Sequence, residues 1–185
     1  MTDDLPTHRP KEIAPEPKRL EPSDDPLDFI KEEHIHMRAM CEDIDRIAEA
    51  PSPDGARVSK VIAFLSGEVA LLFADEDNDL RDVLLMRCSP DDDIVPTLDR
   101  LRAEHDDLAA MMLKLIADLS DIREQDRPAW PHEAASLRDF SDRLSRHLVT
   151  ENAIVLPFAR ARLSADDLDR LRAEMIHRRH TKTRG

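Results

Sequence analysis

At 185 residues and 21.1 kDa, with 41% hydrophobic residues, the chain has room for one ordinary domain plus tails. Its 40 acidic and 27 basic residues leave a net charge of −13, a surface that repels phosphate backbones and anionic lipid, so neither nucleic-acid nor membrane binding is expected. Three glycines (Gly55, Gly67, Gly185) exclude glycine-rich phosphate loops, the two cysteines, Cys41 and Cys88, lie too far apart for a Cys-x-x-Cys pair, and 3% aromatics without a tyrosine favour helices over a sheet sandwich.

The N-terminus has neither a basic stretch nor an apolar one behind it, and no run reaches the ~18 apolar residues of a membrane span, so the expected compartment is the cytoplasm. Residues 1–25 are expected to be a disordered, proline-rich arm. Six prolines (Pro6, Pro10, Pro15, Pro17, Pro22, Pro26) lie there or at its edge, among charges and with little apolar surface to bury.

A first helix is expected over about 25–49, where Ile30, His34, Met37, Cys41, Ile44 and Ala48 step by threes and fours, with Ser23 or Asp24 as cap ahead of Pro26. The second, about 55–87, carries Val58, Ile62, Leu65, Val69, Leu72, Glu76, Leu80 and Val83 on its inner face. The third, about 94–123, carries Leu98, Leu101, His105, Leu108, Met112, Leu115, Leu119 and Ile122, and admits Pro96 only in its first turn. The fourth, about 131–161, carries Leu137, Phe140, Leu144, His147, Glu151, Ile154 and Phe158, with Pro157 bending or ending it late. Ser164-Ala165-Asp166-Asp167 reads as the cap of a short fifth helix with Leu168, Leu171 and Met175 inward. The run from His177 to Arg184 is expected to be solvated, with residues 181–185 a basic tail.

Short turn-rich connections (Pro51 to Gly55, Ser89 to Asp92, Asp126 to Pro128) force long helices to lie antiparallel to their neighbours. The expected fold is all-α: an up-down-up-down four-helix bundle with a short additional C-terminal helix, over residues 26–180.

Every seam of that bundle is interrupted by a polar residue. His34 stands on the first helix, Glu76 on the second, His105 on the third, and His147 and Glu151 on the fourth. A buried carboxylate or imidazole without a partner is costly, so groups arriving from all four helices point to one shared site. His147 and Glu151, four apart, project from one helix face. Imidazole plus carboxylate without thiolate suits iron or manganese and admits zinc, and carboxylates from facing helices can bridge two metals.

This arrangement resembles the hemerythrin-like (HHE cation-binding) domain family over about residues 26–162. The matching segments are Lys31-Glu32-Glu33-His34, Leu72-Phe73-Ala74-Asp75-Glu76, Ala103-Glu104-His105-Asp106 and His147-Leu148-Val149-Thr150-Glu151-Asn152, the last followed by Leu156-Pro157. The resemblance implies a non-haem di-iron centre in a four-helix bundle that binds or senses dioxygen, nitric oxide or peroxide, or handles iron. It implies His34 on one iron, His105 and His147 on the other, and Glu76 and Glu151 as bridges. The chain departs from the pattern at Leu72, where the family has a histidine four residues before the glutamate, and at Ala109, where oxygen carriers have a second third-helix histidine. Leucine offers no lone pair, so the di-iron centre is expected to be incomplete on the His34 side.

Other residues read as structure. His36 is expected to be solvated, and Glu33-x-x-His36 and Glu174-x-x-His177, though ferritin-like in spacing, lie off the seams. The run from Asp75 to Asp79 opens like a calcium loop, but Leu80 and Met86 replace the required glycine and glutamate, so it reads as an acidic helix face. Asp75, Asp77 and Glu104 are candidate substitute ligands. Cys41 reads as a small buried hydrophobe and Cys88 as the more reactive thiol. Three functional classes stay open: an iron-binding protein acting by reversible binding or sensing rather than turnover, an oxidase- or peroxidase-type enzyme, and a metal-free bundle serving interaction or structure with a protein partner.

Overall fold

In the computed structural model, residues 19–182 are described, and every regular element among them is helical. Helix α1 spans Pro26–Glu49. Its cap is Asp25 rather than Ser23 or Asp24, because Pro26 occupies the first turn and the Asp25 carboxylate accepts the N–H groups of Leu27 and Asp28 at 2.9 and 3.1 Å. Helix α2 (Gly55–Asp75), capped by Asp54, runs through a π turn at Glu76–Leu80 into α3 (Arg81–Arg87). A 3-10 turn at Pro90–Asp92 leads to α4 (Val95–Glu124). Helix α5 (Pro131–Thr150) runs through a second π turn at Glu151–Val155 into α6 (Leu156–Arg162). Pro157 therefore does not end the fourth expected helix. Helix α7 (Ala165–Lys182) opens on reciprocal bonds between Ser164 and Asp167, as the sequence implied, and its 18 residues make it longer than expected.

Cross-helix pairs give the order of packing. Between α1 and the α2 rod the pairs are His34–Glu76, His36–Glu68 and Asp43–Arg57, so partners step backwards as α1 steps forwards. The pairs Asp25–Arg160, His34–Glu151 and Asp45–Ser141 run the same way between α1 and the α5 rod. Those between the α2 rod and α4, Arg81–Asp99, Asp77–His105 and Ser59–Arg123, do so too. The apolar seams meet in one core around Phe29, Phe64 and Phe140, each at most 2% exposed. Polar residues interrupt this core in one layer, where the two π turns also fall.

Helix α7 packs across α1 and α2, burying Leu171 and Met175. Two expectations change here. Arg178 and Arg179 are half-buried and paired: both meet Asp75, which is 0% exposed, and Arg178 also pairs with Asp79 at 2.7 Å. The start of the expected acidic face of the second helix is thus an internal ion-pair network. Residues 1–18 of the expected arm and 183–185 of the expected tail lie outside the described residues. The end of the arm is structured, with Leu20 buried and a turn from Glu21 to Asp24.

Candidate metal centre

Both glutamates of the seams begin a π turn. The N–H of Arg81 bonds back five residues to the Glu76 carbonyl, and that of Leu156 does the same to Glu151. Such a turn inserts one extra residue into the helix, shifting the face of everything that follows, and it recurs at functional sites. Here it keeps Leu72 and Glu76, or His147 and Glu151, on the inner face while Leu80 and Val155 resume the core beyond.

All five residues singled out from the sequence are buried, none more than 6% exposed. Glu76, His105, His147 and Glu151 form the tightest group: one potential ligand atom from each lies within 4.8 Å of the others. The Nε2 atoms of His105 and His147 face each other at 2.8 Å. Glu151 Oε2 is 3.3 Å from His147 Nε2, and Glu76 Oε2 is 3.5 Å from His105 Nε2. His34 stands beside this group on the carboxylate side, its Nε2 2.9 Å from Glu76 Oε1 and 3.2 Å from Glu151 Oε2. Leu72 is 1% exposed and adds only hydrocarbon.

The second ring nitrogens are held from outside. His105 Nδ1 is 3.0 Å from Asp77 Oδ1, and His147 Nδ1 is 2.9 Å from Glu104 Oε2. Asp77 and Glu104, candidate substitute ligands in the sequence, therefore stand behind the two histidines and outside the tight group. They engage the outer Nδ1 of each ring while the Nε2 atoms face the cluster, the placement of carboxylates behind metal-binding histidines. Phe73 stacks on His105 with centroids 4.0 Å apart, fixing that ring and shielding it from water. Asp75 turns away to the α7 arginines. The sequence placed Asp77 and Glu104 beside the cluster residues, but only cross-helix packing assigns them to a particular nitrogen.

Electrostatics divide the cluster. Burial and the neighbouring charge of Glu151 push Glu76 well above the usual carboxylate range. Burial acts on Glu151 too, yet the close approach of His147 and the charges of His147, His34 and His105 hold it below its ordinary value. Burial lowers His34. His147 is raised to about 9 because the nearby charge of Glu151, with help from Glu76 and Glu104, overcomes its burial. Even so, Glu76 Oε2, Glu151 Oε2 and His34 Nδ1 are buried with no hydrogen-bond partner among the described residues. Buried oxygens are rarely left so. Two carboxylate oxygens and two imidazole nitrogens converging on one point fit a divalent metal of the iron, manganese or zinc type.

A cavity of about 20 Å³ adjoins Glu76, His105 and Glu151, with Leu98, Leu101 and Val155 among its walls. That is about the room one water needs. A cleft of about 380 Å³ on the outer surface between α4 and α5 reaches His147.

Outside the cluster, His36 corrects the sequence reading. It is buried, 2.9 Å from Glu68 and edge-on to Phe64, and Glu33 is buried with it. Cys41 is buried and its thiol pushed up to about 11 by burial, as a small hydrophobe. Cys88 is also pushed up by burial, which removes the thiolate character expected of a reactive thiol. No described helix is long and apolar enough to cross a membrane.

Among families of known proteins, the model of the hemerythrin HHE cation binding domain matches residues 25–159. No curated protein and no solved structure matches the chain.

Proposed function

Because the chain belongs to the hemerythrin HHE cation-binding family, we propose that it is a non-haem iron-binding protein. Its metal is held by Glu76, His105, His147 and Glu151, and it binds or senses a small ligand of the dioxygen, nitric oxide or peroxide class. The observation that carries this reading is the pair of outer carboxylates, Asp77 and Glu104, each on the Nδ1 of a histidine whose Nε2 faces the cluster. Iron bound there supplies an open coordination position for a small ligand. The protein's residues do the rest. Asp77 and Glu104 fix the tautomers, Phe73 immobilises His105, and the cavity lined by Leu98 and Leu101 is too small for an organic substrate. That size favours binding or sensing over turnover of an organic molecule.

The stoichiometry follows from Leu72. One iron per chain is served by His105 and His147, while the second position has only His34 and shared carboxylates. His34 then acts as a hydrogen-bond partner of Glu76 and lies close to Glu151. The antiparallel pairs support the up-down-up-down topology, and the sequence alone supports the cytoplasm as the compartment. A second reading, a metal-free interaction bundle, is favoured by Leu72 itself.

Replacing either imidazole of the tight group separates the two readings. His105→Ala and His147→Ala should each abolish most bound metal, measured per chain after anaerobic loading with ferrous iron and desalting. Metal content unchanged in both variants would place the metal elsewhere and remove the proposal.

A further inference from the structure

The two π turns are braced differently. In the second, Asn152 stands just after Glu151, and its Nδ2 donates to the Leu148 carbonyl at 2.7 Å, inside its own helix. The first turn has no such brace among the described residues. The residue after Glu76 is Asp77, whose carboxylate is engaged across the bundle with His105 Nδ1, and Asn78 beyond it is exposed.

Support for the first turn comes from α7. Arg178 Nη1 donates to Asp75 Oδ1, on the residue before the turn, and its Nη2 lies 2.7 Å from Asp79 Oδ2, inside the turn. Arg179 Nη2 meets the other Asp75 oxygen at 2.6 Å. One guanidinium thus spans two carboxylates on the side of the turn toward α7, while Glu76, between them in sequence, belongs to the cluster. Arginine suits this task, because its planar fork offers donors in fixed directions to two partners at once.

The charge of the segment makes such a brace necessary. Asp75, Glu76, Asp77 and Asp79 put four carboxylates into five residues, and Asp75 is fully buried next to Glu76. Like charges this close favour any rearrangement that separates them, and a π turn is an uncommon helix geometry that its surroundings must hold. Leu72 before the turn and Leu80 at its end are locked in the core, so a turn that shifts does so through the residues between them, Glu76 included. The other end of α7 is anchored separately, by Asp167, which takes both Nε and Nη2 of Arg87 at 2.8 and 3.0 Å.

We infer, on the reading of the cluster as a metal centre, that Arg178 is a positioning residue for it: by spanning Asp75 and Asp79 it holds the π turn in the form that points Glu76 at the metal.

Iron affinity and cobalt spectra separate positioning from plain support of the fold. Arg178→Met removes the span. Asp79→Ala opens it on one side while Asp75 keeps both arginines, and Arg87→Met removes the pair at the other end of α7. Helical content and melting temperature are measured first, and ferrous iron is then titrated anaerobically against a competing chelator. Arg178→Met should bind iron about tenfold or more weakly, the usual effect of losing a group that orients a metal ligand, and Asp79→Ala should weaken it in the same direction. Arg87→Met should lower the melting temperature yet leave iron affinity within about twofold, as a change remote from the centre does. Cobalt(II) loaded in place of iron should show visible bands displaced in Arg178→Met and Asp79→Ala and unmoved in Arg87→Met, because ligand geometry sets them. Should Arg178→Met fail to fold, Asp79→Ala, in which Asp75 is still neutralised, decides alone. Iron affinity and cobalt bands unchanged in the folded variants would overturn the inference, and so would Arg87→Met weakening iron as much as Arg178→Met. Wild type that holds no iron would overturn the metal-centre reading and this inference with it.

Discussion

Leu72 sits one helical turn before Glu76, 1% exposed, where a side chain of similar reach faces the same layer as His34. Leu72→His should therefore raise bound iron from one towards two per chain. Without metal the variant should be less stable, since removing a buried leucine costs roughly 2–5 kcal/mol, and iron should restore what was lost. Equal iron in both proteins would show that position 72 does not reach the centre. A second consequence at this scale concerns pH. The folded metal-free protein raises His147 from 6.5 to about 9, so the stabilisation from its protonation is complete below pH 6.5 and fades as pH rises through about 9. Glu33, pushed from 4.5 up to about 7 by burial, acts in the same sense, because its ionisation between those values opposes folding. The melting temperature of the metal-free protein should therefore fall from pH 5 to pH 9. Iron affinity should rise from pH 6.5 to pH 9, because the metal displaces the His147 proton. A metal-free melting temperature that is flat or rising over that range would contradict these assignments.

Among the elements, α7 carries a load that its sequence hid. The run around Arg178 and Arg179 reads as a solvated helix end, but it neutralises Asp75, the fully buried neighbour of Glu76. Replacing both arginines with methionine should destabilise the protein by about 3–5 kcal/mol in chemical denaturation, the cost of leaving a buried charge unpaired. Adding Asp75→Asn should recover part of that loss, whereas a surface role would show neither effect. Periodicity made the long helices legible because threes and fours record which face meets the core. Their boundaries fell near 49, 87 and 124, where proline and acidic turns punctuate the chain. Both π turns were illegible, since an extra residue in a helix leaves the local composition unchanged. The burial of His36 was missed for a related reason: it lies off the α1 seam, and cross-helix packing against Glu68 and Phe64 encloses it.

At the scale of the whole molecule, five polar residues on four seams were legible as one site because burial demands partners, and packing brings all five into one layer. What sequence could not order was their division. His105 and His147 close on each other and on both glutamates, while His34 stays on the carboxylate side. That asymmetry agrees with the expectation that Leu72 leaves the His34 side without a ligand, and makes the number of metal ions the most direct test. Wild-type protein loaded anaerobically with ferrous iron, desalted and assayed for iron per chain should retain one. Retention of none would contradict a metal centre at Glu76, His105, His147 and Glu151.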